Sequence, residues 1–104
     1  MPSILYRPSD PPGILDRRFR AAEHVLTTWH TGSPALLDAS RGLCYTLNEL
    51  GWRIWEQIGS GEPVSTIVRT LRQEYDVPRD PFETDVAAFV DNLLAAKLIE
   101  PNEP

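Results

Sequence analysis

The sequence predicts an α+β fold in which a three-stranded antiparallel sheet is followed by three helices on one side of it. Between residues 24 and 47, short runs rich in β-branched and aromatic residues alternate with turn residues, which is typical of strands. From residue 48 onward, apolar residues recur every three or four positions, which is typical of amphipathic helices. The length of 104 residues, with 41% hydrophobic and 24% charged residues, indicates a single globular domain.

Residues 1–23 are predicted to form a proline-rich N-terminal arm, and residues 24–100 to form the domain. The arm is punctuated by Pro2, Pro8, Pro11, Pro12 and Gly13. Its apolar residues are Ile4, Leu5, Tyr6, Ile14, Leu15 and Phe19. This is too apolar for a pure linker, so we expect part of the arm to dock on the domain or on a partner. The arginines Arg17, Arg18 and Arg20 are interpreted as a solvated basic run.

Three strands are expected in the sheet. They cover residues 24–30, 35–38 and 43–47. Leu43, Tyr45 and Leu47 share one face of the third strand, because side chains alternate along a strand. The short connections predict an antiparallel meander, and such a sheet leaves at least one edge open to an added strand.

Three helices are expected after the sheet. They are predicted over residues 49–58, 63–75 and 81–97. Asn48 is a favourable N-cap for the first helix, and Pro63 suits the first turn of the second. Asp80 and Pro81 provide an N-cap and a proline at the first position of the third helix. The segment at residues 98–99 is then expected to be an extended tail against the core.

Charge and cysteine content narrow the classes of partner. Ten Lys and Arg residues against fifteen Asp and Glu residues give a net charge of −5, which repels phosphate backbones, so no nucleic acid is expected as a partner. No apolar run approaches the roughly 20 residues of a membrane span, and the N-terminus lacks the layout of a signal peptide. We therefore expect a cytoplasmic protein that binds no membrane.

No catalytic or metal-binding constellation is recognised in the sequence. His24 and His30 share a strand face but lie about 20 Å apart, which is too far for one metal ion. Cys44 has no neighbouring histidine and no CxxC partner. Asp85 and Asp91 are six residues apart and are interpreted as a polar helix surface. We predict that the protein is not an enzyme and uses no metal or cofactor.

Helices beside a small sheet also occur in winged helix-turn-helix proteins, so a DNA-binding or transcription-associated protein is the alternative function. From Asp80 to Ala96, however, the third helix carries four acidic residues and no Lys or Arg, so phosphate contacts there are repulsive. A further alternative is a structural adaptor that binds a protein partner through the arm.

The most specific pattern lies where the third strand meets the first helix. It reads Tyr-x-Leu-Asn-x-x-Gly-x-x-Ile-Trp and comprises Tyr45, Leu47, Asn48, Gly51, Ile54 and Trp55. Around it are Leu36-Leu37-Asp38, Gly42-Leu43-Cys44, Val64 to Leu71, Asp85-Val86, Phe89, Leu93 and Leu98-Ile99-Glu100. Together these residues resemble the PqqD-like family over residues 24–100. The family often has Gly where this sequence has Lys97.

The resemblance implies a winged helix-turn-helix-like domain that recognises the leader segment of a ribosomally made precursor peptide. It is most similar to the discrete leader-binding proteins of lasso-peptide pathways, whose partners are a leader peptidase and a macrolactam synthetase. The leader is then expected to lie as an added strand in the groove between the third strand and the third helix.

The residues expected to bind the leader come from both walls of that groove. They are Gly42, Leu43, Cys44, Tyr45, Thr46 and Leu47 on the strand side, and Val86, Phe89, Val90 and Leu93 on the helix side. Positions 86, 90 and 93 form one helical stripe while Phe89 leans toward another, and the sequence leaves open which stripe faces the core. Arg41, Arg53 and Arg79 are candidates for pairing with acidic leader side chains, the alternative being simple solvation.

Overall fold

The strands of the fold form two small sheets. The computed structural model describes residues 13–102. Its strands are β1 (Phe19–Ala21), β2 (Val25–His30), β3 (Ser33–Asp38), β4 (Leu43–Thr46) and β5 (Ile99–Pro101). Strands β2, β3 and β4 form an antiparallel sheet in that order, and β1 pairs with β5 in a second antiparallel sheet. The predicted three-stranded meander is confirmed.

Three helices follow β4, so the predicted α+β order is also confirmed. They are α1 (Glu49–Gly59), α2 (Val64–Tyr75) and α3 (Arg79–Ala95). A short 3-10 helix, Ile14–Asp16, precedes β1. Within residues 13–102, none of the helices combines the length and the apolar character needed to cross a membrane.

The helix boundaries follow from local sequence. Asn48 caps α1 as predicted, because its side chain accepts a hydrogen bond from the backbone N–H of Gly51 at 2.7 Å. Helix α2 ends at Tyr75, and the next residue, Asp76, has a left-handed backbone with a φ of 51°. The backbone of Asp80 is extended (φ −102°, ψ 135°), so regular helical geometry in α3 continues from Pro81, as the sequence predicts.

The core lies between the two sheets and the three helices. Its largest fully buried apolar side chains are Phe19, Leu36, Ile54, Val64, Ile67, Leu71, Val86, Val90 and Leu98. Strand β2 adds only Val25, since its five other residues are exposed. Strand β2 therefore lies largely outside the core, whereas β3 contributes the buried side chains of Ala35, Leu36 and Asp38.

The folded unit begins before residue 24, where the sequence places the domain boundary. Phe19 is almost fully buried, and β1 pairs with β5 so that Arg20 lies opposite Glu100. The tail at residues 98–99 is buried as predicted, and it gains a strand partner from the N-terminal segment. Residues 1–12, the rest of the predicted arm, lie outside the described residues.

The arginines of the arm are exposed or half-buried, in keeping with the predicted solvated run, and they also have partners within the chain. Arg18 Nη1 donates to the carbonyl oxygen of Gly61 at 2.9 Å, and Arg20 Nε donates to Glu100 Oε2 at 2.8 Å. Arg17 lies over the Phe19 ring, 5.1 Å from its centroid. Each arginine thus has a partner within the chain.

Candidate functional site

Strand β4 is an open edge of the three-stranded sheet. The N–H of Leu47 donates to the carbonyl oxygen of Pro34 at 3.0 Å, which continues the ladder between β3 and β4. Because backbone groups alternate along a strand, Tyr45 directs its N–H to β3, whereas Cys44 and Thr46 direct theirs away from the sheet. No other described strand pairs with β4 on that side. The N–H and C=O groups of Cys44 and Thr46 are therefore available to an added strand.

A groove runs beside this edge, between β4 and α3, and Phe89 divides it into two depressions. The first, of about 290 Å³, is lined by Thr46, Leu47, Asn48, Leu50, Gly51, Ile54, Asp85, Val86 and Phe89. The second, of about 200 Å³, is lined by Leu36, Tyr45, Thr46, Leu47, Phe89, Asn92, Leu93, Ala96 and Leu98. From Asp85 to Ala96, α3 spans about 16 Å. That length matches about five residues of extended peptide.

The α3 residues expected to contact a peptide do not all reach the groove. Phe89 is half-buried and borders both depressions. Val86 and Leu93 each reach the floor of one depression, but they are mainly core residues. Val90 is fully buried and lines neither depression, so the expectation for Val90 is wrong. The stripe at positions 86, 90 and 93 is the one that faces the core.

The predicted contact residues in and around β4 also differ in their positions relative to the groove. Gly42 belongs to the preceding turn, since its N–H donates to the carbonyl oxygen of Asp38 at 2.8 Å and its φ is 69°. The exposed residues of β4 are Leu43, Cys44 and Thr46. Tyr45 is half-buried and Leu47 is buried, and both line the groove. The strand wall of the groove is thus residues 45–47, and Leu43 and Cys44 lie outside the two depressions.

Helix α1 forms part of the floor of the first depression, and none of the α1 residues that line it was among the predicted contacts. Gly51 is buried there, and a Cβ at this position would lie 3.4 Å from Phe89 Cζ and 3.2 Å from Asn48 Oδ1. The Asn-x-x-Gly spacing is the sequence signal for this close approach. Asn48 Oδ1 accepts a hydrogen bond from the N–H of Gly51, and the Phe89 ring packs against the same position, so a side chain at residue 51 would crowd both groups.

A buried carboxylate holds the turn that leads into β4. Asp38 Oδ1 accepts hydrogen bonds from Ser40 N–H (3.0 Å), Ser40 Oγ (2.8 Å) and Arg41 N–H (3.2 Å). His24 Nε2 lies 3.8 Å from Oδ1, and Arg41 Nη1 lies 4.0 Å from Oδ2. Burial alone would raise the pKa of Asp38, but the hydrogen bonds from Ser40 and Arg41 outweigh it and lower that pKa. The ionised carboxylate therefore fixes where β4 begins.

The three arginines considered as contacts for acidic side chains are paired within the chain. Their hydrogen bonds join Arg41 Nη1 to the Ala96 carbonyl oxygen (3.1 Å), Arg53 Nη2 to Glu74 Oε1 (2.6 Å) and Arg79 Nε to Glu83 Oε2 (3.1 Å). The carboxylate partners raise the pKa of Arg53 and of Arg79. Arg41 ties the turn before β4 to the C-terminal end of α3, which fixes the groove at that end.

The chemistry of this site is that of binding. Most residues lining the groove are apolar, and the edge of β4 adds regularly spaced backbone donors and acceptors. Within residues 13–102, no group of three or more His, Cys, Asp or Glu side chains could hold a metal ion. An extended peptide satisfies the backbone groups and fills the apolar depressions at the same time.

Comparisons with known proteins identify a matching family model and two similar solved structures. A family model described as coenzyme PQQ synthesis protein D (PqqD) matches residues 35–99. Among curated proteins, none matches the sequence significantly. The fold is similar to that of TbiB1 in complex with the TbiA(beta) leader peptide, with 26% identity, a TM-score of 0.71, and coverage of 82% of this chain and 99% of that one. It is also similar to a lasso peptide synthetase B1 complexed with the leader peptide, with 26% identity, a TM-score of 0.73, and coverage of 81% and 99%.

Proposed function

Because this chain belongs to the PqqD family, as its sequence predicted, we propose that it binds the leader segment of a ribosomally made precursor peptide. The leader adds as a strand to β4 and places side chains in the two depressions beside Phe89. The observation that carries the proposal is the open edge of β4 directly beside an apolar groove. The leader peptides in both similar structures support the same ligand class.

The backbone ladder alone does not account for useful affinity. The outward groups of Cys44 and Thr46 allow up to four hydrogen bonds, each worth about 1 kcal/mol net. A micromolar complex requires about 8 kcal/mol after the costs of association. Burying an apolar side chain contributes about 1.5–3 kcal/mol, so anchors in both depressions supply the larger share. Leader selectivity is then determined by the side chains that fill the groove.

The proposal includes delivery of the bound leader to a leader peptidase and a macrolactam synthetase. This chain acts without catalysis of its own, because tethering raises the effective concentration of the precursor to about millimolar. The opposite edge of the sheet also carries exposed apolar side chains: on β2, Leu26 is 54% exposed and Trp29 is 70% exposed, and strand alternation places them on opposite faces of the sheet. Each stays uncovered when β4 is occupied, so this edge is left free for a contact with an enzyme partner.

The test is a single change at the edge of β4. Thr46→Pro removes an outward N–H and should weaken binding of a lasso-precursor leader peptide by about ten-fold. Affinity is measured by fluorescence anisotropy of the labelled leader. In parallel, alkylation of Cys44, the only cysteine of the chain, should slow when the leader is added, because the thiol lies on the same exposed strand.

Thr27→Pro on β2 is the matched control. The N–H of Ala39 donates to the carbonyl oxygen of His24 at 2.9 Å, so alternation directs the N–H of Thr27 away from β3, toward the other free edge. This variant should bind the leader like the wild type. Equal loss in both variants, or unchanged affinity in a folded Thr46→Pro variant, would contradict strand addition at β4. At a subsaturating concentration, precursor cleavage by its peptidase should be faster with the wild type than with Thr46→Pro, and slowest in buffer alone.

A further inference from the structure

One charged side chain lines the groove beside β4. Asp85 is exposed at the rim of the first depression, next to Phe89 and opposite Asn48 and Leu50. It makes no hydrogen bond or ion pair with any other residue of the described chain. The other described residues that line the two depressions are uncharged. The groove therefore presents a single unpaired negative charge beside apolar walls.

The cations near the groove in sequence do not neutralise Asp85: Lys97, which follows Ala96, is exposed and lies twelve residues from Asp85, about 18 Å at the helical rise. Arg41 donates to the Ala96 carbonyl oxygen, and Arg79 is paired with Glu83. From Asp80 to Ala96 the helix that forms the groove wall has no Lys or Arg. Nothing in this helix neutralises Asp85, so its charge is available to a bound peptide.

We propose that Asp85 is a specificity-determining residue that selects a Lys or Arg in the bound strand. This inference rests on the proposed function. A long cationic side chain fits because its methylene stem lies against Leu50, Ile54 and Phe89 while its charged head reaches the carboxylate at the rim. The ligand is thus an extended peptide with apolar anchors and one cationic residue that faces the same wall, two or four positions from an anchor.

The test starts from peptides rather than from a chosen leader. A displayed library of random 12-residue peptides is selected on the wild type, on Asp85→Asn and on Asp91→Asn. Asp91 is the matched control, because it is an exposed aspartate of the same helix that lines neither depression, and its change alters the net charge equally. The wild type and Asp91→Asn should enrich Lys or Arg at one fixed position relative to the apolar anchors. Asp85→Asn should enrich the same anchors without that cation.

A double-mutant cycle with the selected peptide then measures the interaction energy between Asp85 and the cationic residue of the peptide. Replacing the cation by Gln should weaken binding to the wild type and to Asp91→Asn by about three- to ten-fold, and should leave binding to Asp85→Asn unchanged. Enrichment of apolar anchors without a fixed cation, or equal losses in both variants, would overturn the role of Asp85 and leave leader binding intact. Failure of the folded wild type to enrich any peptide would overturn the proposed function together with this inference.

Discussion

Asp38 is the residue whose charge most directly supports the site. Its folded-state pKa is lowered from the ordinary value of 3.8, so its contribution to stability is complete above that value and is lost as the pH falls through the lower, folded-state pKa. We expect Asp38→Asn to reduce the free energy of unfolding near neutral pH, where the wild-type carboxylate is ionised. The reduction should shrink as the pH falls, because the wild-type carboxyl then becomes protonated and no longer stabilises the folded state through its charged hydrogen bonds.

Urea unfolding of the two proteins between about pH 7 and about pH 3, followed by tryptophan fluorescence, measures this difference. Trp55 is buried against the core and reports the loss of packing. A difference in unfolding free energy that stays constant over the whole range would show that the ionised form of Asp38 has no special role in the turn before β4.

At the scale of elements, α1 and α3 meet at the floor of the groove where Gly51 faces Phe89. Gly51→Ala gains about 1 kcal/mol of helix propensity but crowds Asn48 Oδ1 and Phe89 Cζ, so we expect little net change in stability. The displaced Phe89 narrows both depressions, and leader affinity should fall by about five- to ten-fold. Gly59→Ala is the control in the same helix, because a Cβ there meets nothing within 4 Å.

Calorimetric titration of the leader into the two variants, with thermal unfolding of each, separates binding from folding. Gly59→Ala should bind like the wild type. If Gly51→Ala retains full affinity, the floor of the first depression does not contact the leader, and the binding surface is confined to the edge of β4.

Elements that depend on residues adjacent in sequence could be predicted, whereas elements that depend on contacts between distant segments could not. The cap at Asn48 and the start of regular helix at Pro81 depend on neighbouring residues, so the sequence predicted both. The pairing of β1 with β5 joins residues about eighty positions apart in strands of three residues, which are too short to show a period. Sequence therefore placed the start of the domain after Phe19, which packs in the core.

The same distinction explains how much of the candidate site was foreseen. The strand period and the open sheet follow from the sequence, and the structure places Tyr45 and Leu47 beside the groove. Which stripe of α3 faces the core depends on the layers packed against it, so the helical period alone could not separate Val90 from Phe89. Which N–H groups of β4 point outward depends on the register with β3, which the turn at residues 39–42 sets.

At the scale of the whole molecule, the two ends of the described chain pair as strands β1 and β5. Truncation of the N-terminus tests how much this pairing stabilises the fold. A chain that starts at Gly13 keeps β1 and every described groove residue. It should therefore have the same thermal transition and the same affinity for the leader as the full protein. A chain that starts at His24 loses Phe19 from the core, a loss of about 3–5 kcal/mol by analogy with Phe→Ala, and leaves β5 without its partner. Against a total stability of about 5–15 kcal/mol, its thermal transition should fall sharply or disappear.

The full chain and both truncated chains are compared by two measurements. Thermal unfolding followed by circular dichroism tests whether the pairing of β1 with β5 stabilises the fold. Anisotropy of the labelled leader tests whether residues 1–12 take part in recognition. An unchanged transition in the chain that starts at His24 would show that the pairing of β1 with β5 adds little to the fold. Loss of leader binding in the chain that starts at Gly13, with its transition intact, would assign recognition to residues 1–12 and favour an adaptor that acts through its arm. Retained binding would assign recognition to the groove, because every residue that lines it lies between Leu36 and Leu98.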